Sequence, residues 1–315
     1  MEWHDRFHGV LAVNKPRGIT SHDVVFRVRK ILQQQAIGHT GTLDPLAEGL
    51  MVLCLGRATK IVQFLSDYNK TYEAEIMLGV RSTTFDAEGV VPEAVPSPLP
   101  EISGSGLEAV VASFVGKIEQ TVPVHSSTRV GGKHLYQLAR KGREVSAPSK
   151  TVEINSIHLL SVELPLIRIE VMCGKGTYIR SLANDIGERL GCGAYLANLK
   201  RTAVGAFRLE TALDLGQISS AIGDGSLEHH IILLEQVLAF GALRLKEGSE
   251  QVVIHGQTPD WCDIESVEGA FRPGDNIMVK DPRGQALAVV IAGIGSDGMA
   301  EHIGKPVAGF VRVLG

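Results

Sequence analysis

The twelve residues Gly38-His39-Thr40-Gly41-Thr42-Leu43-Asp44-Pro45-Leu46-Ala47-Glu48-Gly49 constrain the chain most. Three glycines admit positive φ or close backbone approach, and Pro45 fixes its own φ while pushing Asp44 toward extended conformations. Neither a helix nor an interior strand tolerates that pattern. The stretch runs directly into Leu50-Met51-Val52-Leu53-Cys54-Leu55, an apolar run of the length and composition of a buried strand. One carboxylate therefore sits in a stiffened loop anchored by a core strand. Such loops carry catalytic groups, but an aspartate before a proline can equally close a local turn with its own side chain. From these residues alone both readings of Asp44 stay open.

A length of 315 residues is more than one core usually serves, so two domains are expected. Hydrophobic residues make up 44% and charged residues 21%, an ordinary globular balance. No apolar run is long enough to span a bilayer, and Met1-Glu2-Trp3-His4-Asp5 lacks the apolar stretch of a signal peptide, which together predict a cytoplasmic protein. The four cysteines, Cys54, Cys173, Cys192 and Cys262, are widely spaced and form no Cys-x-x-Cys, so reduced thiols without a zinc knuckle are expected. The net charge of −4 is not that of a general nucleic-acid binder. It leaves room for a site-specific enzyme with a local basic face.

In chain order, His8–Val13 reads as a strand and Asn14–Gly18 as a turn. Thr20 or Ser21 caps a helix to about Gln34, with Val24, Val25, Val28, Ile31 and Leu32 at helical spacing. Lys15 and Arg17 flank that turn, where they could meet a phosphate or simply face solvent. Ala58–Leu65 reads as a short helix. Lys70–Gly79 alternates as a strand that points Tyr72 to its apolar side. Residues 92–106, rich in Pro, Ser and Gly, form a surface connection, and Leu107–Val115 an amphipathic helix. Residues 120–150 contain Arg129, Lys133, Arg140 and Lys141 around Tyr136, the composition of an RNA-contacting arm or of a charged surface hairpin.

Val152–Ile157 and Leu166–Cys173 read as strands. Thr177 is a plausible cap for a helix whose apolar face is Ile179, Leu182, Ala183, Ile186 and Leu190, ended by Gly191. Arg180 falls in the first turn, off that face, where a cation opposes the helix dipole at a cost of about 0.3–1 kcal/mol. A nearby carboxylate held in a planar pair is the simplest compensation. Leu196–Gly205 reads as a strand with the basic pair Lys200-Arg201, and Leu199 as a core or pocket residue. Ala212 to about Val237 is expected to be helical and to close the first domain. From Phe240 on, short strands (Gln251–Ile254, Ile277–Lys280, Ala286–Ala292, Gly309–Val313) and glycine turns predict a small β barrel.

Several of these stretches carry a resemblance. His-Thr-Gly-Thr-Leu-Asp-Pro, then Ala-x-Gly-Leu and Gly56-Arg57-Ala58-Thr59-Lys60, resembles the signature loop of the TruB family of bacterial tRNA pseudouridine synthases, which act on the uridine at position 55 in the T arm. Asn-Lys-Pro-x-Gly-x-Thr-Ser, the turn Arg81–Gly89, Gly-x-x-Thr-Tyr-Ile-Arg-x-Leu and Leu199-Lys200-Arg201-Thr202 are similar to further motifs of that family. The resemblance implies that Asp44 is the catalytic residue, Arg180 its ion-pair partner, Tyr72 the ring packed on the target base, and Tyr178 and Leu199 residues of the pocket. It implies that His39 helps take the place of the flipped base. It also implies an α+β fold, a pseudouridine-synthase-like mixed sheet with flanking helices over 1–238, with an RNA-binding arm inserted at about 120–150. A PUA-like RNA-binding barrel would follow over 239–315.

The arm departs from the family's Pro-Pro-x-Tyr-Ser-Ala-x-Lys, reading Val122-Pro123-Val124-His125-Ser126-Ser127-Thr128-Arg129. No cofactor and no metal are expected, and the partner is tRNA, met by a monomer without guide RNA or protein partner. The rivals are a non-catalytic RNA-binding protein, which intact Asp44, Tyr72 and Arg180 argue against, and a metal hydrolase. For the latter, eleven histidines offer no His-x-x-x-His or clustered ligand pattern.

Overall fold

The structure is a computed structural model that describes residues 5–90, 99, 101, 103–123, 126, 128–130, 133–135, 148–297 and 308–314. Strands β1 (Gly9–Lys15), β2 (Ile37–His39), β3 (Glu48–Leu55), β4 (Lys70–Leu78), β5 (Gly116–Thr121), β6 (Arg129–Val130), β7 (Lys133–His134), β8 (Ser149–Glu163), β9 (Leu166–Cys173), β10 (Ala194–Val204), β11 (Phe207–Arg208) and β12 (Ile231–Ile232) belong to the first part of the chain. All but β6 and β7 form one mixed sheet ordered β12-β1-β3-β10-β4-β9-β8-β5, with β2 on β3 and β11 on β10.

The sequence pattern explains the sheet's depth. Along β3, Met51, Leu53 and Leu55 join one apolar core while Leu50, Val52 and Cys54 join another on the opposite face. A strand covered on both faces reads as a continuous apolar run. Strand β4, by contrast, alternates buried and half-exposed residues, as the spacing predicts, and Tyr72 points to its buried side. Helices α1 (Ser21–Leu32), α2 (Val62–Ser66), α3 (Gly104–Ala112), α4 (Ile179–Arg189) and α5 (Leu215–Gly223) flank the sheet. α1 starts with Thr20 as its cap in a reciprocal capping box with Asp23. Each aliphatic side chain fully buried in these cores, such as Leu11 or Ile76, contributes about 1.5–3 kcal/mol.

Strands β13 (Ala242–Leu245), β14 (Ile264–Glu268), β15 (Asn276–Lys280), β16 (Ala286–Ala292) and β17 (Ala308–Val313) form a second sheet, ordered β14-β13-β15-β16-β17. It has its own core of Leu243, Leu245, Ile277, Val279, Ala288 and Val290. Its other face gives Ala242, Met278 and Val289 to the core behind β1 and β3, so the two sheets pack together.

Four local expectations are corrected. Residues 212–237 are not one helix: α5 stops at Gly223, the Asp224-Gly225 turn follows, and β12 pairs with β1 before a short helix α6 (Leu234–Val237). Gln251–Ile254 lies in a short helix, α7 (Glu250–Ile254), not in a strand, because its β-branched run buries Val253 alone. Thr177 is not the cap of α4. Tyr178 holds that position, and the Thr177 hydroxyl donates to the Gly174 carbonyl instead (3.1 Å). The helix expected at Leu107–Val115 starts earlier, at Gly104, because the Ser103 hydroxyl accepts from the Gly106 amide.

Candidate active site

The 40–47 loop is held by side chains from three other elements, all acting on its backbone. Ser21, first residue of α1, donates its hydroxyl to the Leu43 carbonyl (2.9 Å) and accepts from the Leu43 amide (2.8 Å). Lys15, last residue of β1, donates to the carbonyls of Ala47 (2.5 Å) and Pro16 (3.0 Å). Arg201 in β10 donates Nε to the Leu50 carbonyl (2.7 Å) and Nη2 to the Gly41 carbonyl (3.0 Å). The turn itself closes through the Asp44 carbonyl, which accepts from the Ala47 amide (3.1 Å). Backbone, not side chain, thus makes the turn at Asp44, and its carboxylate is left for another partner.

That partner is Arg180. Its Nε stands 3.0 Å from Oδ2 of Asp44, and its Nη1 is 3.1 Å from Oδ2 of Asp86. Arg180 and Asp86 are almost wholly enclosed, with 5% and 4% of their side-chain surface exposed. Asp44 keeps 37%, because it opens on a cavity. Asp86 is itself fixed by the Glu88 amide and the Thr84 hydroxyl, in a turn where Phe85 takes φ 65°, a sparsely populated conformation for an aromatic residue. A cation in the first turn of α4 opposes the helix dipole, and two carboxylates offset it.

The cavity has a volume of about 790 Å³. Asp44, Tyr72, Tyr178, Arg180 and Leu199 all line it, as do Arg201, Lys70 and Ser126. Desolvation raises the Asp44 carboxyl above its ordinary range, the Arg180 guanidinium pulls it back, and the Asp86 charge adds to the rise. Burial also raises the Tyr72 phenol, with Arg201 opposing, so the ring stays neutral. Tyr178 is positioned twice over. Its backbone exchanges two hydrogen bonds with the buried Gln120 side chain (2.9 and 3.0 Å), and its hydroxyl is 2.9 Å from that of Thr128. The result is one carboxylate, one guanidinium and one aromatic ring around a space of ligand size.

His39 lies in β2, one residue before the cavity wall. Its Nδ1 has no hydrogen-bond partner among the described residues, and burial lowers its pKa. Lys15 as a phosphate contact is corrected: the side chain is fully buried and its ammonium is spent on the loop carbonyls. Burial pushes it down to about 8, against the pull of Asp44. Arg17 is exposed. Arg129 and Lys133 fall in the paired strands β6 and β7, and Arg140 and Lys141 lie outside the described residues.

Two residues of the site lie in stretches that resemble family motifs, but the sequence reading gave neither of them a role. Asp86 comes from a turn distant in sequence, and no spacing links it to Arg180. Arg201 reads only as one of a basic pair in a strand, and the structure buries it, 1% exposed.

The chain is similar to known proteins over most of its length. Residues 29–179 match the TruB family pseudouridylate synthase N-terminal domain, and residues 180–239 match the tRNA pseudouridylate synthase B C-terminal domain. The tRNA pseudouridine synthase B of Burkholderia lata is 42% identical over 274 residues, covering 87% of this chain and 83% of the relative. That of Bacillus pumilus is 42% identical over 287 residues, covering 90% and 92%. Among solved structures, a Cbf5-Nop10-Gar1 complex matches with a TM-score of 0.75 at 26% identity, covering 98% of this chain and 85% of the other. The chain belongs to the TruB family of pseudouridine synthases.

Proposed function

We propose that this protein converts the T-loop uridine at position 55 of tRNA to pseudouridine, with Asp44 as the catalytic carboxylate. The protein is a tRNA pseudouridine synthase, as its family and its relatives indicate. The observation that carries the assignment of Asp44 is its ion pair with Arg180 at the wall of a cavity that Tyr72 and Leu199 also line. The reaction breaks the N1–C1′ bond, forms a C5–C1′ bond, and moves one proton from C5 to N1. The atoms balance without a redox partner. One ionised carboxylate suffices, whether it attacks the nucleoside or removes a sugar proton, and Arg180 favours the ionised form that burial opposes.

A base stacked in a folded T loop has to be extruded to reach Asp44, at a cost of a few kcal/mol. Tyr72, Tyr178 and Leu199 receive it, and His39, next to the wall, takes up the vacated stack. The 120–150 arm, with Arg129, Lys133, Arg140 and Lys141, closes over the T arm, and Arg17 meets its phosphates. The C-terminal sheet serves as a PUA-like RNA-binding module over 239–315, behind a catalytic domain of 1–238. The enzyme works in the cytoplasm as a monomer without guide RNA or protein partner. The bacterial relatives are named for tRNA, whereas the solved Cbf5 stands in a complex with Nop10 and Gar1. No helix among the described residues is long and apolar enough to cross a membrane.

The test is an unmodified tRNA transcript treated with wild type or Asp44→Asn, with pseudouridine mapped by primer extension after carbodiimide labelling. One new stop at the T-loop uridine, made by wild type alone, is expected. No stop with either protein would refute the function, and a stop with both would remove Asp44 from its role.

A further inference from the structure

Ser126 is the feature of the cavity that the reading above leaves unexplained. Its side chain is 5% exposed, it lines the same cavity as Asp44, and its hydroxyl has no hydrogen-bond partner among the described residues. Buried hydroxyls are nearly always paired, because desolvating one without a partner is costly. Described residues on either side of it are nevertheless tied down. The Val122 amide donates to Pro148 (3.0 Å), and the Thr121 carbonyl accepts from the Ser181 hydroxyl (2.7 Å). On the far side the Thr128 hydroxyl meets Tyr178, and the Thr128 carbonyl accepts from the amide of buried Leu135 (2.8 Å). Ser126 therefore lies between two fixed points at the cavity, with both its donor and its acceptor unused among the described residues.

We propose that the Ser126 hydroxyl is a substrate-binding group, completed by a polar edge of the nucleotide that enters the cavity. This rests on the reading of the cavity as a nucleotide site. A hydroxyl suits a pyrimidine nucleoside, since it both donates to a carbonyl or ribose oxygen and accepts from an N–H or O–H. A site built to pair a substrate's polar group discriminates strongly against ligands that leave it unpaired.

Ser126→Ala separates this role from a structural one, because the two predict opposite signs for stability. Removing an unpaired buried hydroxyl leaves the melting temperature unchanged or higher. Losing one substrate hydrogen bond lowers kcat/KM on the unmodified transcript by about tenfold. Affinity is read without chemistry by comparing Asp44→Asn with Asp44→Asn/Ser126→Ala, where the double variant is expected to bind the transcript more weakly. Ser126→Ala kinetics indistinguishable from wild type would overturn the proposal. So would a fall in melting temperature alongside the lost activity, since the hydroxyl would then have a partner in the free protein. Should wild type form no pseudouridine at all, the proposed function fails by itself. Ser126 is then judged by transcript affinity of wild type against Ser126→Ala, and equal affinities would overturn its role.

Discussion

Arg180 meets Asp44 through Nε at 3.0 Å, and its Nη1 is held 3.1 Å from Asp86 on the enclosed side. The guanidinium is thus held by a nearly enclosed carboxylate, Asp86, while it meets the more open one, Asp44. Two consequences differ in sign. Arg180→Met leaves Asp86 buried and unpaired, which should cost about 3–5 kcal/mol of stability. It should also move the acid limb of the kcat/KM profile to higher pH, since the group that lowers the Asp44 pKa is gone. Asp86→Asn removes a charge that raises the Asp44 pKa, so its acid limb should move to lower pH. Single-turnover rates across pH for the two variants check this, and shifts in the same direction would contradict the geometry.

Asp44 itself should carry a cost in stability. Its folded-state pKa is raised above the ordinary carboxylate value, with desolvation the largest cause. A raised carboxyl binds its proton more tightly in the folded state than in the unfolded one. Stability therefore falls as pH rises from the ordinary pKa through the raised one. Asp44→Asn should abolish product formation and yet melt at the same temperature as wild type or higher at pH 7, an advantage that disappears in acid. Melting curves at pH 7 and below pH 4 would show it. A variant less stable than wild type at pH 7 would mean that the Arg180 pair outweighs desolvation.

How far the sequence revealed this site follows from how each residue is specified. The Gly38–Gly49 loop and its apolar strand were legible because breakers and a continuous apolar run are local signals. Tyr72 was legible because strand alternation fixes its face. Arg180 carried its own clue, an uncompensated cation in a first helical turn, and the structure supplies the carboxylate that clue asked for. Asp86 and Arg201 sit in stretches that resemble family motifs, but no local physical signal gave them a role, since their partners are distant in sequence. Lys15 misled for the same reason. A lysine beside a proline-glycine turn reads as a surface cation, whereas the β1–β3 pairing places its ammonium under the Ala47 carbonyl. The 212–237 and 251–254 segments failed because apolar and β-branched runs do not reveal whether a sheet edge is available to them.

Lys15 and Arg17, two residues apart, should separate cleanly in RNA binding. Arg17 is exposed, and if it contacts a phosphate, Arg17→Ala should weaken transcript binding and reduce the slope of log K against log salt by about 1. Lys15 is buried and holds the loop, so Lys15→Met should lower kcat while leaving the salt slope unchanged. Binding isotherms at three or more salt concentrations distinguish them. A reduced slope for Lys15→Met would mean that the ammonium reaches phosphate after all.

Gly49 ends the loop and begins the apolar run, and its backbone has φ +103°, a conformation that residues with a Cβ rarely adopt. The position is also crowded by main chain. A Cβ there would collide with the Arg201 carbonyl oxygen and stand 2.9 Å from the Arg201 nitrogen. Neither atom can rotate away, because β3 and β10 pair in parallel at this point, Gly49 opposite Arg201. Gly49→Ala therefore combines a strained backbone, about 1–3 kcal/mol, with a clash that only strand separation relieves. Separation would pull Arg201 from the Gly41 carbonyl and release the loop that carries Asp44. The variant should lose both melting temperature and activity. Arg201→Lys, which keeps the charge but not the two-point hold on Leu50 and Gly41, should lose activity with a smaller loss of stability. Thermal melts and single-turnover rates of the two variants test this coupling. A Gly49→Ala protein as stable as wild type would show that the strands do not approach as closely as the structure has them.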